Sequence, residues 1–404
     1  MNVAFVLHQT NPANGAARSF LVMLKGLMQQ GDGRQDSLSV SPFVILPERN
    51  GLYLELEQAG VPVFTTTYKY NTYPDTTTWK DVALFLPRLI ARLYVNRRAA
   101  KVIAHYLADK HIDLVHTNVS VCGVGYEAAR LLGVPHVYHI REYGDKDFHY
   151  HYFPTRQAFL RRLDAPRSYT VFITKAIQQH FHQEGKAESR VIYNGICSRQ
   201  ASFLDSKDSG KDYFLYVGTV IPPKGLYELL TAYRQYKAAT SSLLPLYVVG
   251  NTDDKSYFKK LQQYIADHSL NDDIKFLGVS KDVAPLMRQA RAIIIPSLNE
   301  AFGRCMAEAM FNGCLCIGRN TSGTKEQLDN GVQHSGEEIA LRYDTEDQLA
   351  TLLSQVSSAD AGDYLPMRER AFNVVNSLYS SEAHVDYMLN FYQTIVNQNT
   401  DSHE

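Results

Sequence analysis

At 404 residues, with 45% hydrophobic and 21% charged side chains, the chain has length for two or three domains, and its 24 Gly and 15 Pro exclude a low-complexity composition. Forty-one basic against forty-two acidic side chains give a formal net charge of −1, which argues against a nucleic-acid binder held by a strongly cationic surface. The total conceals a split: residues 1–200 hold 23 Lys+Arg and 16 Asp+Glu, whereas residues 201–404 hold 18 and 26.

Five cysteines, Cys122, Cys197, Cys305, Cys314 and Cys316, are odd in number and not spaced as a zinc clip, so a reduced, cytoplasmic compartment is expected. The N-terminal apolar run is too short for a signal peptide, and no segment approaches the roughly 18 apolar residues of a membrane span. A soluble protein that can still touch a membrane is the expectation.

Short apolar runs alternate with helical patterns. Val3–Leu7, Phe43–Leu46, Val61–Thr65, Leu114–Val115, Val137–Ile140, Tyr169–Ile173 and Val191–Tyr193 read as strands, with amphipathic stretches at Ala17–Met28, Ser120–Leu132 and Lys175–Glu184. A further helical pattern at Asp81–Lys110 is broken near Pro87. The polar segment Cys197–Asp212 reads as a linker. The pattern then restarts with strands Tyr213–Val217, Leu246–Val249, Ile274–Leu277, Ala292–Ile295 and Leu315–Ile317. Helices Leu226–Ala239, Tyr257–His268, Val283–Gln289 and Phe302–Asn312 lie between them, and Glu382–Asn397 is a last helix without a strand after it.

This alternation predicts an α/β fold of two tandem Rossmann-like, doubly wound domains facing a cleft, with the C-terminal helix packing back across them. The expected boundaries are 1–196, a linker at 197–212, 213–380, and a crossover helix and tail at 381–404.

Neither first strand is followed by G-x-G-x-x-G; the turns read His8–Gly15 (HQTNPANG) and Gly218–Gly225 (GTVIPPKG), which disfavours a nicotinamide dehydrogenase. Lys224, just before a helix, is placed to neutralise a phosphate. Taken alone, an exposed loop lysine beside the turn glycine Gly218 stays open as the plainer reading.

The strongest signal is Pro296–Met310, PSLNEAFGRCMAEAM. Glu300 sits in the loop after a strand, small residues around Gly303 open a helix, and Glu308 lies on it, about 9 Å beyond Phe302 at 1.5 Å per residue. The amides of Ala301, Phe302 and Gly303 lie between the carboxylates. That spacing suits a nucleotide diphosphate sugar, with phosphate or sugar on the helix N-terminus and hydroxyls on the carboxylates. The plainer alternative makes Glu300 a helix-terminal charge and Glu308 half of a structural ion pair.

On these residues the second half resembles the donor domain of the family 4 glycosyltransferases, retaining enzymes of the GT-B fold, with E-x7-E realised as Glu300 and Glu308. Tyr216-Val217-Gly218, Lys224-Gly225, Ala307–Gly313 and Val191–Ile196 support the likeness, which is weaker over residues 30–110. The resemblance implies that Lys224 contacts donor phosphates, Glu300 the sugar hydroxyls and Glu308 the ribose hydroxyls. It further implies that the amides of Ala301–Gly303 hold phosphate or sugar, and that Gly15 leaves room beside the diphosphate or acceptor. No cofactor and no metal are expected, since the departing diphosphate is stabilised by cations and amides.

Thr219 stands where family members commonly carry an arginine, and Ser322–Glu326 where many carry Gly-Gly before a glutamate; Glu326 is a candidate of uncertain role. In the first domain, the resemblance and its strand-end position make His139 a candidate catalytic group, a satisfied structural histidine being the plainer alternative, with Arg141, Glu142 and Asn194 as further candidates.

Residues 80–175 hold 15 Lys+Arg against 8 Asp+Glu. Arg88, Arg92, Arg97, Arg98 and Lys101 stand beside Leu89, Leu93 and Ile103, and aromatics alternate with histidines over Tyr143–Phe159. This suits a lipid-linked acceptor and an anionic membrane surface, as well as a plain solvated helix face over ordinary core. The expectation is a retaining glycosyltransferase that moves a sugar from a nucleotide diphosphate sugar to a glycan or lipid-linked acceptor, an intermediate of bacterial surface polysaccharide, in the cytoplasm or at the membrane's cytoplasmic face. Alternatives are a sugar-nucleotide epimerase, a phosphorylase, or a degenerate scaffold or binding subunit on the same fold.

Overall fold

The structure is a computed structural model that describes residues 1–12, 14–29, 39–74, 76–205, 212–360 and 362–400. The chain divides into two compact units, Met1–Gly195 with Ser381–Glu404, and Ile196–Ser380.

In chain order the first unit runs β1 (Asn2–Leu7), α1 (Gly15–Gln29), β2 (Ser41–Leu46), α2 (Leu52–Gln58), β3 (Val63–Thr65), α3 (Trp79–Ala83), α4 (Phe85–Leu107) and β4 (Leu114–Asn118). It continues through α5 (Val124–Leu132), β5 (His136–Ile140), α6 (Asp145–Phe148), α7 (Arg156–Leu163), β6 (Ser168–Phe172), α8 (Lys175–His180) and β7 (Ser189–Val191). The second unit runs β8 (Phe214–Val217), α9 (Leu226–Ala239), β9 (Leu246–Val249), α10 (Lys255–Asp267), β10 (Ile274–Gly278), α11 (Ala284–Gln289) and β11 (Ala292–Ile295). Then come α12 (Arg304–Phe311), β12 (Cys316–Arg319), α13 (Ser322–Ser335), β13 (Leu341–Tyr343), α14 (Glu346–Ser358) and α15 (Leu365–Leu378), before α16 (Ser381–Thr400).

The described strands pair in parallel, in the orders β3-β2-β1-β4-β5-β6-β7 and β10-β9-β8-β11-β12-β13. Buried on both faces, such strands read as unbroken apolar runs rather than alternating ones, as Val3–Leu7 and Ala292–Ile295 do. Both sheets are doubly wound, as the sequence predicts. The strand order reverses between β1 and β4 and between β8 and β11, and ligands of such sheets bind outside the carboxyl ends of the strands at that reversal.

α16 belongs to the first unit although it follows the second in sequence. Its Val385, Met388, Leu389, Phe391, Tyr392 and Ile395 join Phe5, Phe20, Met23 and Leu27 in one core cluster. Residues 197–205 pack on the second unit: Phe203 N donates to Phe311 O at 2.8 Å and Arg368 Nη2 to Asp205 O at 3.1 Å. Residues 206–211 of the stretch expected as linker, and 401–404 of the tail, lie outside the described residues.

Three expectations need correction. The break in the Asp81–Lys110 helix falls at Leu84, whose φ of −94° and ψ of 5° separate α3 from α4. Pro87 sits in the first turn of α4, where its missing N–H has no intrahelical partner to lose. α5 starts at Val124, after the turn Val119–Gly123 in which Val119 takes φ 146°. β7 ends at Val191 rather than running to Tyr193.

Candidate active site

In the second unit the carboxyl ends of β8 and β11 carry the turns that hold Lys224 and Glu300. Ile221 opens a short 3-10 turn, Pro222–Lys224, that ends at Gly225 with φ +71°. A Cβ at Gly225 would strike the carbonyl of Pro296, so glycine lets the β8 turn lie directly on the loop after β11. Leu298 N donates to Pro223 O at 2.9 Å across the same seam. Lys224 Nζ thereby reaches Glu300 Oε2 at 2.6 Å, with side chains 30% and 18% exposed. At that exposure both heads remain open to a ligand.

Gly303 caps α12 in the left-handed region at φ +84°, so the helix starts at Arg304. Glu308 therefore stands one turn into the helix, about 6 Å along the axis, not two turns below the mouth as the sequence suggests. Arg304 Nη2 meets Glu308 Oε1 at 3.1 Å. Phe302 and Gly303 are buried, Phe302 edge-on to Tyr379 at 5.4 Å, so this stretch presents less open backbone than expected from sequence.

α13 completes the site from the side. Gly323 N donates to Glu300 O at 2.8 Å, Ser322 Oγ to Asn299 Oδ1 at 3.0 Å, and Gln327 Nε2 to Gly303 O at 3.0 Å and to Phe302 O. Glu326 opens the second turn of this helix, half-buried. Gly218 and Thr219 are held at the end of β8 by Gly218 N to Val249 O at 2.9 Å and Tyr216 OH to Thr219 O at 3.1 Å.

In the first unit, His139 ends in a buried polar cluster at the carboxyl end of β5. Arg141 Nε donates to Asn118 Oδ1 at 2.6 Å, Nη1 to Asn194 Oδ1, and Nη2 to His139 Nδ1 at 3.2 Å. A guanidinium only donates, so His139 Nδ1 accepts and the neutral ring carries its proton on Nε2. That Nε2 is buried with no protein partner. Burial first, then Arg141 and His116, hold His139 well below the ordinary histidine range. It is a fixed neutral donor, not a titrating base.

His116 and His384 flank it, with ring centroids 5.2 and 6.0 Å away. His116 Nδ1 pairs with Tyr392 OH at 2.7 Å and His384 Nδ1 with Tyr193 O at 2.6 Å, while both Nε2 atoms lack a partner. Burial lowers His384 to about 3, and lowers His8, on the β1 turn, to about 4. Glu142 is buried as well. Ser120 donates to its Oε1 from N at 2.7 Å and from Oγ at 2.6 Å, yet burial outweighs these bonds and pushes the carboxyl up to about 7. Gly15 is exposed at the first residue of α1.

The structure thus brings together Lys224, Glu300 to Gly303 and Glu308 in one unit, and His139, Arg141, Glu142 and Asn194 in the other. Sequence reasoning missed Arg304, Ser322 and Gln327 in the first group and His116, Ser120 and His384 in the second. A four-residue interval from Arg304 to Glu308 on one helix was an available signal. Nothing local marks His384, which arrives from the far end of the chain on α16. Among the described residues no group of three or more His, Cys, Asp or Glu could hold a metal ion.

Comparison with known proteins gives the arrangement its relatives. The family described as "Glycosyl transferases group 1" matches residues 199–369, and "Glycosyltransferase Family 4" matches residues 51–199. The O-antigen chain mannosyltransferase RfbU of Salmonella typhimurium is 32% identical over 144 residues, covering 35% of this chain and 38% of that protein. The N-acetyl-alpha-D-glucosaminyl L-malate synthase of Bacillus anthracis is 25% identical over 215 residues, covering 51% and 54%. The chain therefore spans less than two thirds of the length of these relatives. Among solved structures, HepE of Anabaena in complex with UDP aligns with a TM-score of 0.74 at 20% identity, covering 98% of this chain and all of that one. A glycosyltransferase of Rickettsia africae aligns equally well, at 0.74 and 17% identity, over 98% of both chains. With one glycosyltransferase family model on each half and the fold of GT-B glycosyltransferases matched over nearly its whole length, the chain carries a Family 4 and a group 1 glycosyltransferase domain in tandem.

Proposed function

We propose that the protein transfers a sugar, with retention of configuration, from a nucleotide diphosphate sugar to a lipid-linked intermediate of a bacterial surface polysaccharide. In this reading the donor occupies the second unit and the two substrates meet at the cytoplasmic face of an anionic membrane. The observation that carries the reading is the Lys224–Glu300 contact at the strand-order reversal, with Arg304–Glu308 one helix turn away. Each cation rests on a carboxylate, so each pair is close to neutral. A diphosphate competes for the two cations, and the released carboxylates turn to sugar and ribose hydroxyls. The charge that grows on the departing diphosphate then faces cations already in place, which is how preorganised electrostatics lowers such a barrier without a metal.

Arg304 offers a cation at a site where Thr219 leaves the turn without the arginine common in the family. His139, neutral and held by Arg141, donates Nε2–H to an oxygen of the substrate bound in the first unit. HepE is bound to UDP and RfbU is named a mannosyltransferase for O-antigen, which favours a nucleotide diphosphate donor and a surface-glycan product. A thermal-shift series with UDP, GDP, ADP and their hexoses tests the reading. A ligand at about a hundred times its dissociation constant adds roughly 2.7 kcal/mol of stability and raises the melting temperature visibly. A flat response across the series would contradict it.

A further inference from the structure

We propose that the outward face of α3 and α4 docks the first unit onto an anionic lipid bilayer, with Trp79, Val82, Leu86, Ile90 and Tyr94 in the interfacial layer and Arg97, Arg98 and Lys101 on the headgroups. This deepens the reading of a lipid-linked acceptor met at a membrane by naming the surface that makes contact.

α4 is two helices in character. Its second half buries Ala99, Ala100, Ile103, Ala104 and Leu107 against the unit, whereas none of the residues Phe85–Arg98 is buried. Leu86, Ile90 and Tyr94 form an i, i+4, i+8 row, and they are 61%, 59% and 66% exposed; Trp79 and Val82 on α3 are 76% and 59% exposed. On a helix turning 100° per residue this row lies opposite Phe85, Leu89, Arg92 and Asn96, the partly covered side of these first turns. The apolar residues of the exposed half thus point outward, the reverse of an ordinary surface helix.

Charge on the same face says what covers it. One turn on, the outward row becomes Arg97, Arg98, Lys101 and His105, all exposed, and α4 contains no acidic residue. Asp81 on α3 is occupied by Arg88 and by the capping box with Thr78. An apolar row followed by cations, ending in an exposed tyrosine and preceded by an exposed tryptophan on α3, fits a surface of phosphates over acyl chains. A second copy of the same face would bring no anion to meet Arg97, Arg98 and Lys101. The helix would lie along the surface, about 22 Å from Leu86 to Lys101, and among the described residues no helix is long and apolar enough to cross a membrane.

Trp79 is the chain's single tryptophan, so its fluorescence reports this face without a label. The test mixes the full chain with phosphatidylcholine vesicles containing either no anionic lipid or about 30% phosphatidylglycerol. The proposal expects flotation with the anionic vesicles, a blue shift of Trp79 emission, and release by high salt. An Arg97→Gln, Arg98→Gln, Lys101→Gln variant should partition on the order of a hundredfold more weakly. A Leu86→Ser, Ile90→Ser variant should lose the blue shift while binding nucleotide as the wild type does. Wild-type protein that neither floats nor shifts, variants that float unchanged, or a dimer in solution that Leu86→Ser, Ile90→Ser dissociates would each overturn it. Nucleotide titration of the same samples separates the two readings: lost docking with intact nucleotide binding counts against this surface alone, and the converse against the donor site alone.

Discussion

The two units place chemistry at equivalent points of equivalent sheets, yet they treat charge in opposite ways. In the second unit Lys224, Glu300, Arg304 and Glu308 keep partial exposure and neutralise one another in pairs. In the first, His139, Arg141 and Glu142 are buried, and burial drives the histidine below its usual range and the carboxyl above it. Paired, half-exposed charges can be exchanged for those of a ligand. Burial takes His139 out of the neutral titration range, so it acts by position, and moves Glu142 into that range.

The largest expected effect bears on the exchangeable pairs. Lys224→Ala and Glu300→Gln should each lower donor turnover about 10²- to 10³-fold, measured as release of nucleotide diphosphate. Arg304→Ala should cost less, about tenfold in nucleotide affinity by titration calorimetry. If His139→Gln matched the Lys224 loss while altering the pH profile near 6.5, the contrast between a titrating and a fixed group would fail.

Stability sharpens the comparison next. Gly225→Ala should cost about 1–3 kcal/mol, because a positive φ and the Pro296 carbonyl both oppose a Cβ, and calorimetry should show the loss in the transition of the second unit. Tyr392→Phe leaves His116 Nδ1 unpaired and should cost about 1–2 kcal/mol, in the transition of the first unit.

A pH dependence tests the buried groups directly. Glu142 rises from 4.5 to about 7 in the folded state, so it favours the protonated form. Its contribution is full below about 4.5 and is lost as pH rises towards about 7, and Glu142→Gln should remove that decline. His8 and His384 work the other way. Lowered from 6.5 to about 4 and about 3, they contribute above 6.5 and lose that contribution as pH falls, so acid destabilisation should persist in Glu142→Gln. Chemical denaturation across pH 4 to 8 measures both slopes.

Much of the fold was legible because parallel strands buried on both faces leave apolar runs that periodicity finds; α9, β9 and β11 match their expected bounds residue for residue. β13, α14 and α15 went unrecognised, since Leu341–Tyr343 is a three-residue strand with arginine at its centre. The candidate site of the second unit was legible because Glu300 and Glu308 lie within one strand-loop-helix segment. The first-unit cluster was only half legible. Its His139-Ile140-Arg141-Glu142 stretch is local, but the groups that tune it arrive from Asn118, Ser120, Asn194 and His384, and such distances leave no periodic trace. On α4 the sequence pointed to Leu89, Leu93 and Ile103 beside the cations, whereas the exposed row is Leu86, Ile90 and Tyr94, because only exposure tells an outward leucine from a core one.

Calorimetric titration of UDP, GDP and ADP into the full chain, alongside Lys224→Ala and Glu308→Ala, tests the central claim most directly. The account predicts that at least one of these nucleotides binds the wild type and that each substitution weakens it tenfold or more, about 1.4 kcal/mol. Unchanged affinity in both variants would contradict a donor site at the β8–β11 reversal.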